Sequence, residues 1–321
     1  MIEYLRSLSQ IVDVVAIFGE PNINYLLKSN IEGNAMILYK GSTNECKILI
    51  PLSAKEFVKG VIPKDCIVVS YSYDTINAHG YVLGRSFQDV ALGVIKSLAE
   101  KNEYVGVPLL YINASLYSTL LRYWKVKDIS KDIRIVRSKK SNDELSTLID
   151  VHNLIKHSLD QCKNETQNLL NCIFGKLHPK LCGIYLETLV KLENLVTLRL
   201  AVRKGVFIAN YRWSLPLSRE TEDAVTRVNN ILENTIKKIH PRKCSDLIKN
   251  IKVQLQQQSI KVLVNICGIG TEECEYPSIC ECLYEDTVLH DGMSIKIEVV
   301  VNESMYIPKF LVIRDKKIEV Y

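Results

Sequence analysis

Residues 265 to 298 hold most of the side chains in this chain whose types and spacing could do chemistry. Cys267 and Cys274 lie seven residues apart, Glu272, Glu273 and Glu275 surround the second of them, and Glu298 follows downstream. A thiol acts as a nucleophile only as the thiolate, which requires a nearby base or positive charge. Glu275 and Glu298 could stand near, but no histidine is predicted beside them. Packing of both cysteines as small buried hydrophobes is preferred to a thiol hydrolase. Cys267, Cys274, Cys280 and Cys282 cluster in sequence, yet they lack the paired C-x-x-C spacing of a zinc ribbon, which favours packing over a soft-metal site. The acidic run reads as a solvated loop. Of the six histidines, His178 precedes a proline, His240 ends a helix before Pro241 and His290 precedes a turn, so these read as surface or capping residues. His152 falls near the apolar side of its helix and is expected to be half-buried.

The elements that must position these groups divide into two halves. Up to about residue 132, apolar runs such as Ala35–Tyr39, Lys47–Ile50 and Cys66–Val69 alternate with helical patterns such as Ser86–Glu100. That alternation predicts a small α/β domain. Beyond it, Ser141 and Glu144 form a capping box. Leu145, Leu148, Ile149, Ile155, Leu159 and Cys162 then recur at helical spacing. A second helix is predicted through Val225, Val228, Leu232, Ile236 and Ile239, ended by Pro241. A third is predicted to follow with Ser245 as N-cap. Between the first two, residues 196–205 alternate strictly and read as a strand, with Leu198, Leu200 and Val202 facing the core. Residues 309–321 read as a closing hairpin.

Several segments resemble the prolidase/aminopeptidase P/creatinase family. Cys267-Gly268-Ile269-Gly270 through Cys274-Glu275-Tyr276-Pro277 is similar to its "GHGIG…HE-x-P" block, with cysteine at both histidine positions. Asp291-Gly292-Met293 through Glu298 resembles its "GM-x-x-TiE" strand. Arg137-Ser138-Lys139-Lys140-Ser141 with Glu144 matches its "R-x-x-K-s-x-x-E-i", and Glu20–Leu26 resembles the start of its N-terminal domain. The resemblance implies an α/β (α+β) fold: a creatinase-type N-terminal domain over 1–132 and a pita-bread domain over 133–321.

Active members of that family hold two divalent ions bridged by a hydroxide, using two aspartates, one histidine and two glutamates. Anchored on Gly205 and Tyr211, the resemblance places the first aspartate at Arg203 and the second, eleven residues on, at Ser214. The histidine position is Cys267, the first glutamate is retained as Glu298, and the second falls on Pro308. Cys274 and Glu275 complete the implied vestigial pocket. A guanidinium at a ligand position repels a dication, so no metal and no other cofactor is expected. Strand alternation instead suggests that Arg203 pairs with Glu298 in place of the metal charge. Creatinase itself works without metal through a histidine, but residues 181–202 contain none.

The net charge of +5, with scattered basic residues, does not indicate a nucleic-acid partner. No apolar run approaches the ~18 residues of a membrane span, and Asp13 interrupts the only apolar segment near the N-terminus, so a secretory signal is not expected. Ten cysteines do not by themselves indicate a disulfide scaffold. These features lead to an expected cytoplasmic, non-catalytic, prolidase-like binding or scaffolding module. It is expected to form a homodimer, or a heterodimer with a paralogue, and a peptide or protein ligand is possible. The alternatives are an Xaa-Pro dipeptidase or aminopeptidase-type hydrolase with a rebuilt site, and an inert subunit paired with an active paralogue.

Overall fold

The computed structural model describes residues 1–72, 82–83, 86–165, 168–181, 183–238, 243–270, 275–278 and 287–321. Its contacts divide it into two compact units, Met1–Val136 and Arg137–Tyr321. The first is built on β1 (Val14–Phe18), β2 (Met36–Lys40), β3 (Glu45–Pro51), β4 (Cys66–Ser72), β5 (Val82–Leu83), β6 (Tyr104–Val107) and β7 (Lys125–Asp128), in the sheet order β5-β4-β3-β2-β1-β6-β7. Helices α1 (Ile2–Leu8), α2 (Glu20–Leu27), α3 (Lys55–Val58), α4 (Phe87–Lys96), α5 (Ala114–Leu120) and α6 (Ser130–Ser138) connect or flank the strands.

Both faces of this sheet are covered, which explains why its central strands are apolar at every position rather than alternating. In β1, Val15 and Ile17 pack with Leu5 and Leu8 of α1, while Val14, Ala16 and Phe18 pack with Val90, Val94 and Ile95 of α4. A disulfide joins Cys46 and Cys66, which are direct neighbours across β3 and β4.

The second unit opens with α7 (Asn142–Cys162), and the predicted capping box between Ser141 and Glu144 is formed there. Next come α8 (Leu169–Leu177), a sheet of β8 (Gly183–Lys191), β9 (Leu195–Lys204) and β10 (Phe207–Pro216), then α9 (Arg219–Lys238) and α10 (Cys244–Gln256). A second sheet, in the order β12-β11-β13-β14-β15, comprises β11 (Val262–Gly268), β12 (Glu275–Ser278), β13 (Ser294–Val301), β14 (Met305–Arg314) and β15 (Lys317–Val320). The hydrogen bond from Ile208 N to Gly270 O, 2.6 Å, links the two sheets.

Leu198, Leu200 and Val202 face the core beneath Leu145, Leu148 and Ile155 of α7, as the alternation predicts. Burying one such leucine contributes about 1.5–3 kcal/mol, and a one-residue slip would expose all three, so the register is firmly held.

Two local expectations need correction. The third helix is capped at Lys243 rather than Ser245. Lys243 bridges Val288 and Cys244 N donates to Thr287 O at 2.9 Å, so a β-bridge delivers the chain into the helix. His152 is fully buried rather than half-buried, because Tyr211, Trp213 and Phe310 enclose its ring at 5.2–5.9 Å.

Candidate functional site

The side of β9 turned away from α7 carries Thr197, Arg199, Ala201 and Arg203. Across the hairpin these pair with Ser214, Arg212, Asn210 and Ile208 of β10. Glu298 approaches this face from β13 and is only 3% exposed. Arg212 satisfies it twice, donating from its backbone N at 3.3 Å and its Nη1 at 3.4 Å. Lys296 Nζ lies 3.9 Å from the same carboxylate and donates to Asn210 O at 2.8 Å. The expected Arg203–Glu298 pair is therefore not formed, and Arg212 takes that place. The reason is register. Arg203 pairs with Ile208 near the hairpin turn, whereas Arg212 pairs with Arg199, four residues away, or about 13 Å along a strand.

The other positions implied by the resemblance are also occupied by groups unsuited to a dication. Ser214 is buried, shares a 2.5 Å hydroxyl contact with Thr197 and accepts a hydrogen bond from Tyr306 N at 2.8 Å. Pro308 lies directly across from Glu298 in the β13–β14 ladder. Cys267 is buried and disulfide-bonded, which removes it both as a thiolate nucleophile and as a soft ligand. Cys274 lies outside the described residues. A guanidinium, a hydrogen-bonded hydroxyl, a disulfide sulfur and a proline do not make a hard-cation donor set. Among the described residues, no group of three or more histidine, cysteine, aspartate or glutamate side chains gathers to hold an ion.

Glu275, expected to line the pocket, is instead the centre of a buried ion cluster. Arg137 Nη2 lies 2.7 Å from its Oε1 and Lys140 Nζ 2.6 Å from its Oε2, with all three side chains almost wholly inaccessible. Lys140 also donates to the Arg137 carbonyl. Burial alone would raise the Glu275 carboxyl, but the charges of Lys140 and Arg137 and their hydrogen bonds outweigh it and hold the pKa at about 2. A Cβ at Gly270 would overlap the Glu275 carboxylate, so glycine is required there for the cluster to close. Gly292 plays a comparable part: its φ is +87° and its carbonyl accepts from Lys140 N at 2.8 Å. The Arg137–Glu144 motif, the glycine block and the "GM" strand thus clasp one another within the second unit.

Arg212 and Lys296 are the members of the site that sequence reasoning missed. The signal was available in strand parity, since Arg212 shares a face with Ser214, and Lys296 shares one with Glu298. A double-mutant cycle with Arg212→Ala and Glu298→Gln should return a coupling of about 0.5–1.5 kcal/mol, modest because the Arg212 side chain is 44% exposed. The cycle with Arg203→Ala should return none; the reverse ranking in chemical denaturation would show that the carboxylate belongs to Arg203.

No family model matches the sequence, and no curated protein matches it. Solved structures match across nearly the whole chain. The prolidase from Pyrococcus horikoshii OT3 superposes with a TM-score of 0.72 at 14% identity, covering 99% of this chain and 96% of that one. An Xaa-Pro dipeptidase from Bacillus anthracis gives 0.73 at 13%, over 99% and 96%. An X-Pro aminopeptidase from Thermotoga maritima MSB8 gives 0.72 at 14%, over 100% and 96%. Identity this low carries fold and no more. The chain has the fold of these prolidases and aminopeptidases, a creatinase-type N-terminal α/β domain followed in sequence by a pita-bread domain.

Proposed function

We propose that this protein is a non-catalytic member of the prolidase-like group that acts as a binding or scaffolding module. The observation that carries the reading is the state of Glu298. The one family ligand retained is already neutralised by Arg212 and Lys296, within 3.4 and 3.9 Å. A dication would have to displace both cations, and the residues at the other ligand positions would offer it no carboxylate or imidazole in return. The pocket that the resemblance assigns to Arg203, Ser214, Cys267, Cys274, Glu275, Glu298 and Pro308 is read as vestigial. In this reading Glu275 survives because it holds the fold.

Purified protein should carry no stoichiometric Mn, Co, Zn or Fe and should not cleave Xaa-Pro dipeptides when Mn or Co is added. Elemental analysis returning about two hard divalent ions per chain, or turnover that a chelator abolishes, would replace this reading with the rebuilt hydrolase.

A homodimer, or a heterodimer with a paralogue, is part of the proposal, to be checked by the mass in solution and by co-purification from the native source. Among the described residues no helix is long and apolar enough to cross a membrane. Cys162 is bonded to Cys172, Cys46 to Cys66, and Cys244 and Cys267 are also disulfide-bonded. A cytoplasmic location fits this pairing in a hyperthermophile, where intracellular disulfides persist; otherwise the pairing points to an oxidising compartment.

A further inference from the structure

A cavity of about 510 Å³ lies beside the Glu298 site, between the start of β11, the β13–β14 turn and β10. That volume falls in the range of small-ligand pockets. Arg212 belongs to both places. One edge of its guanidinium faces Glu298, while its side chain remains 44% exposed and sits over the Tyr306 ring at 5.5 Å. The guanidinium presents five N–H donors, of which Glu298 engages one. Lys261, Asn265 and Asn302 also line the cavity. Among the described residues, none hydrogen-bonds the Lys261 ammonium or the side-chain amides of Asn265 and Asn302. The walls between these groups are apolar, and Leu263 is 54% exposed there.

Four polar groups with spare donors therefore converge on an apolar-walled cavity, two of them cationic. Solvent-exposed cations and amides are common singly, but here they share one concave space with an exposed leucine and an aromatic ring. The planar fork of arginine matches a carboxylate in two-point geometry. Glu303 on the rim disfavours a highly charged anion such as phosphate, and suits a ligand that also carries a positive or neutral polar end. We propose that this cavity binds a carboxylate-terminated ligand, its carboxylate on Arg212 and Lys261 and its apolar body against Leu263 and Tyr306. The shared chemistry is that of a short peptide's C-terminus or of a small carboxylic acid. The proposal deepens the binding-module reading but does not need the metal site to be absent, since no ligand position other than the Glu298 contact contributes to it.

The test is calorimetric titration of the full chain, in low salt with a chelator present, using the dipeptide Ala-Pro, its C-terminal amide and hexanoate. Binding of Ala-Pro or hexanoate, weakened at least tenfold by amidation and at least tenfold in Lys261→Ala, supports the proposal. Which acid binds more tightly separates peptide from simple carboxylate. Arg212→Ala should weaken binding further, but it also loosens Glu298. Lys261 is exposed and its ammonium makes no hydrogen bond or ion pair among the described residues, so its variant keeps the test open if Arg212→Ala unfolds. Equal binding of acid and amide, inorganic phosphate binding as tightly as the acids, undiminished affinity in Lys261→Ala, or no binding of either acid would overturn it. Failure here is distinguishable from failure of the non-catalytic reading, because metal content and turnover decide that reading and ligand affinity decides this one.

Discussion

Replacing Glu275 by Gln should destabilise the second unit by about 3–5 kcal/mol, the usual effect of breaking a buried ion pair by removing one partner. The carboxylate is 2% exposed and answers two buried cations, Arg137 and Lys140, at 2.7 and 2.6 Å. Neither cation can reach water when it is lost. Domains of ordinary stability have only about 5–15 kcal/mol in reserve, so the variant should lie close to unfolding at moderate temperature. Arg137→Met combined with Lys140→Met and Glu275→Leu should recover much of the loss, since an apolar replacement of a whole buried cluster is often neutral or stabilising. Urea unfolding of the three proteins reads the effect. A single variant as stable as the parent would mean that the cluster is hydrated rather than sealed. The difference between parent and Glu275→Gln should shrink in acid: the Glu275 pKa is lowered to about 2, so its contribution is complete above its ordinary value of 4.5 and is lost as pH falls toward 2.

The second large effect is a loss of stability at milder acidity through His152. Burial foremost, helped by the charges of Lys156 and Lys309 and opposed by a hydrogen bond with the Tyr321 backbone, pushes its pKa from 6.5 down to about 3. The unfolded chain therefore takes up a proton that the folded chain refuses. Stability from this group is complete above pH 6.5 and declines as pH falls toward 3. The full span corresponds to about 5 kcal/mol, and the loss between pH 7 and 5 to about 2 kcal/mol. Carboxylates contribute little change in that window, and His157, His178 and His290 are exposed. His152→Leu should therefore flatten the dependence of unfolding free energy on pH between 7 and 5, whatever its own effect at pH 7. An unchanged slope would mean that the ring is protonated in the fold, or that another group titrates there. Asn or Gln at 152 would be a poor control, because each adds buried polar atoms to a cage formed by Tyr211, Trp213 and Phe310.

The residues that resemble the peptidase signature most closely, Arg137, Lys140, Gly270, Glu275 and Gly292, are those that hold elements together. The side chains at two of the implied metal positions are fitted into the sheets without an ion: Ser214 shares a hydroxyl contact with Thr197, and Pro308 occupies a sheet position across from Glu298. Structural polar groups buried in a low-dielectric interior are constrained by their partners. Metal ligands are constrained by the metal, and in the non-catalytic reading proposed above that constraint has lapsed.

The sequence by itself determined whatever depends on local spacing. Alternation in Leu198, Leu200 and Val202 settled which side of β9 is core, and Ser141 with Glu144 settled where α7 begins, because strand pleat and helix capping act over a few residues. The motif spacing likewise located the glycine block and Glu298. Partnership between distant charges was beyond its reach. Arg203 and Arg212 both lie on the cationic face of one hairpin, and only the stacking of β13 against that hairpin decided which would meet Glu298. Glu275 looked like one member of a solvated acidic run; its pairing with Arg137 and Lys140, 138 and 135 positions away, exists only once β12 closes over the end of α6 and the connection to α7. The burial of His152 was also settled by tertiary packing, since its helical phase put it near the apolar face but the enclosing rings come from β10 and β14. Ion pairing falls steeply with distance and depends on desolvation that packing alone creates, so these were the features the linear chain left open.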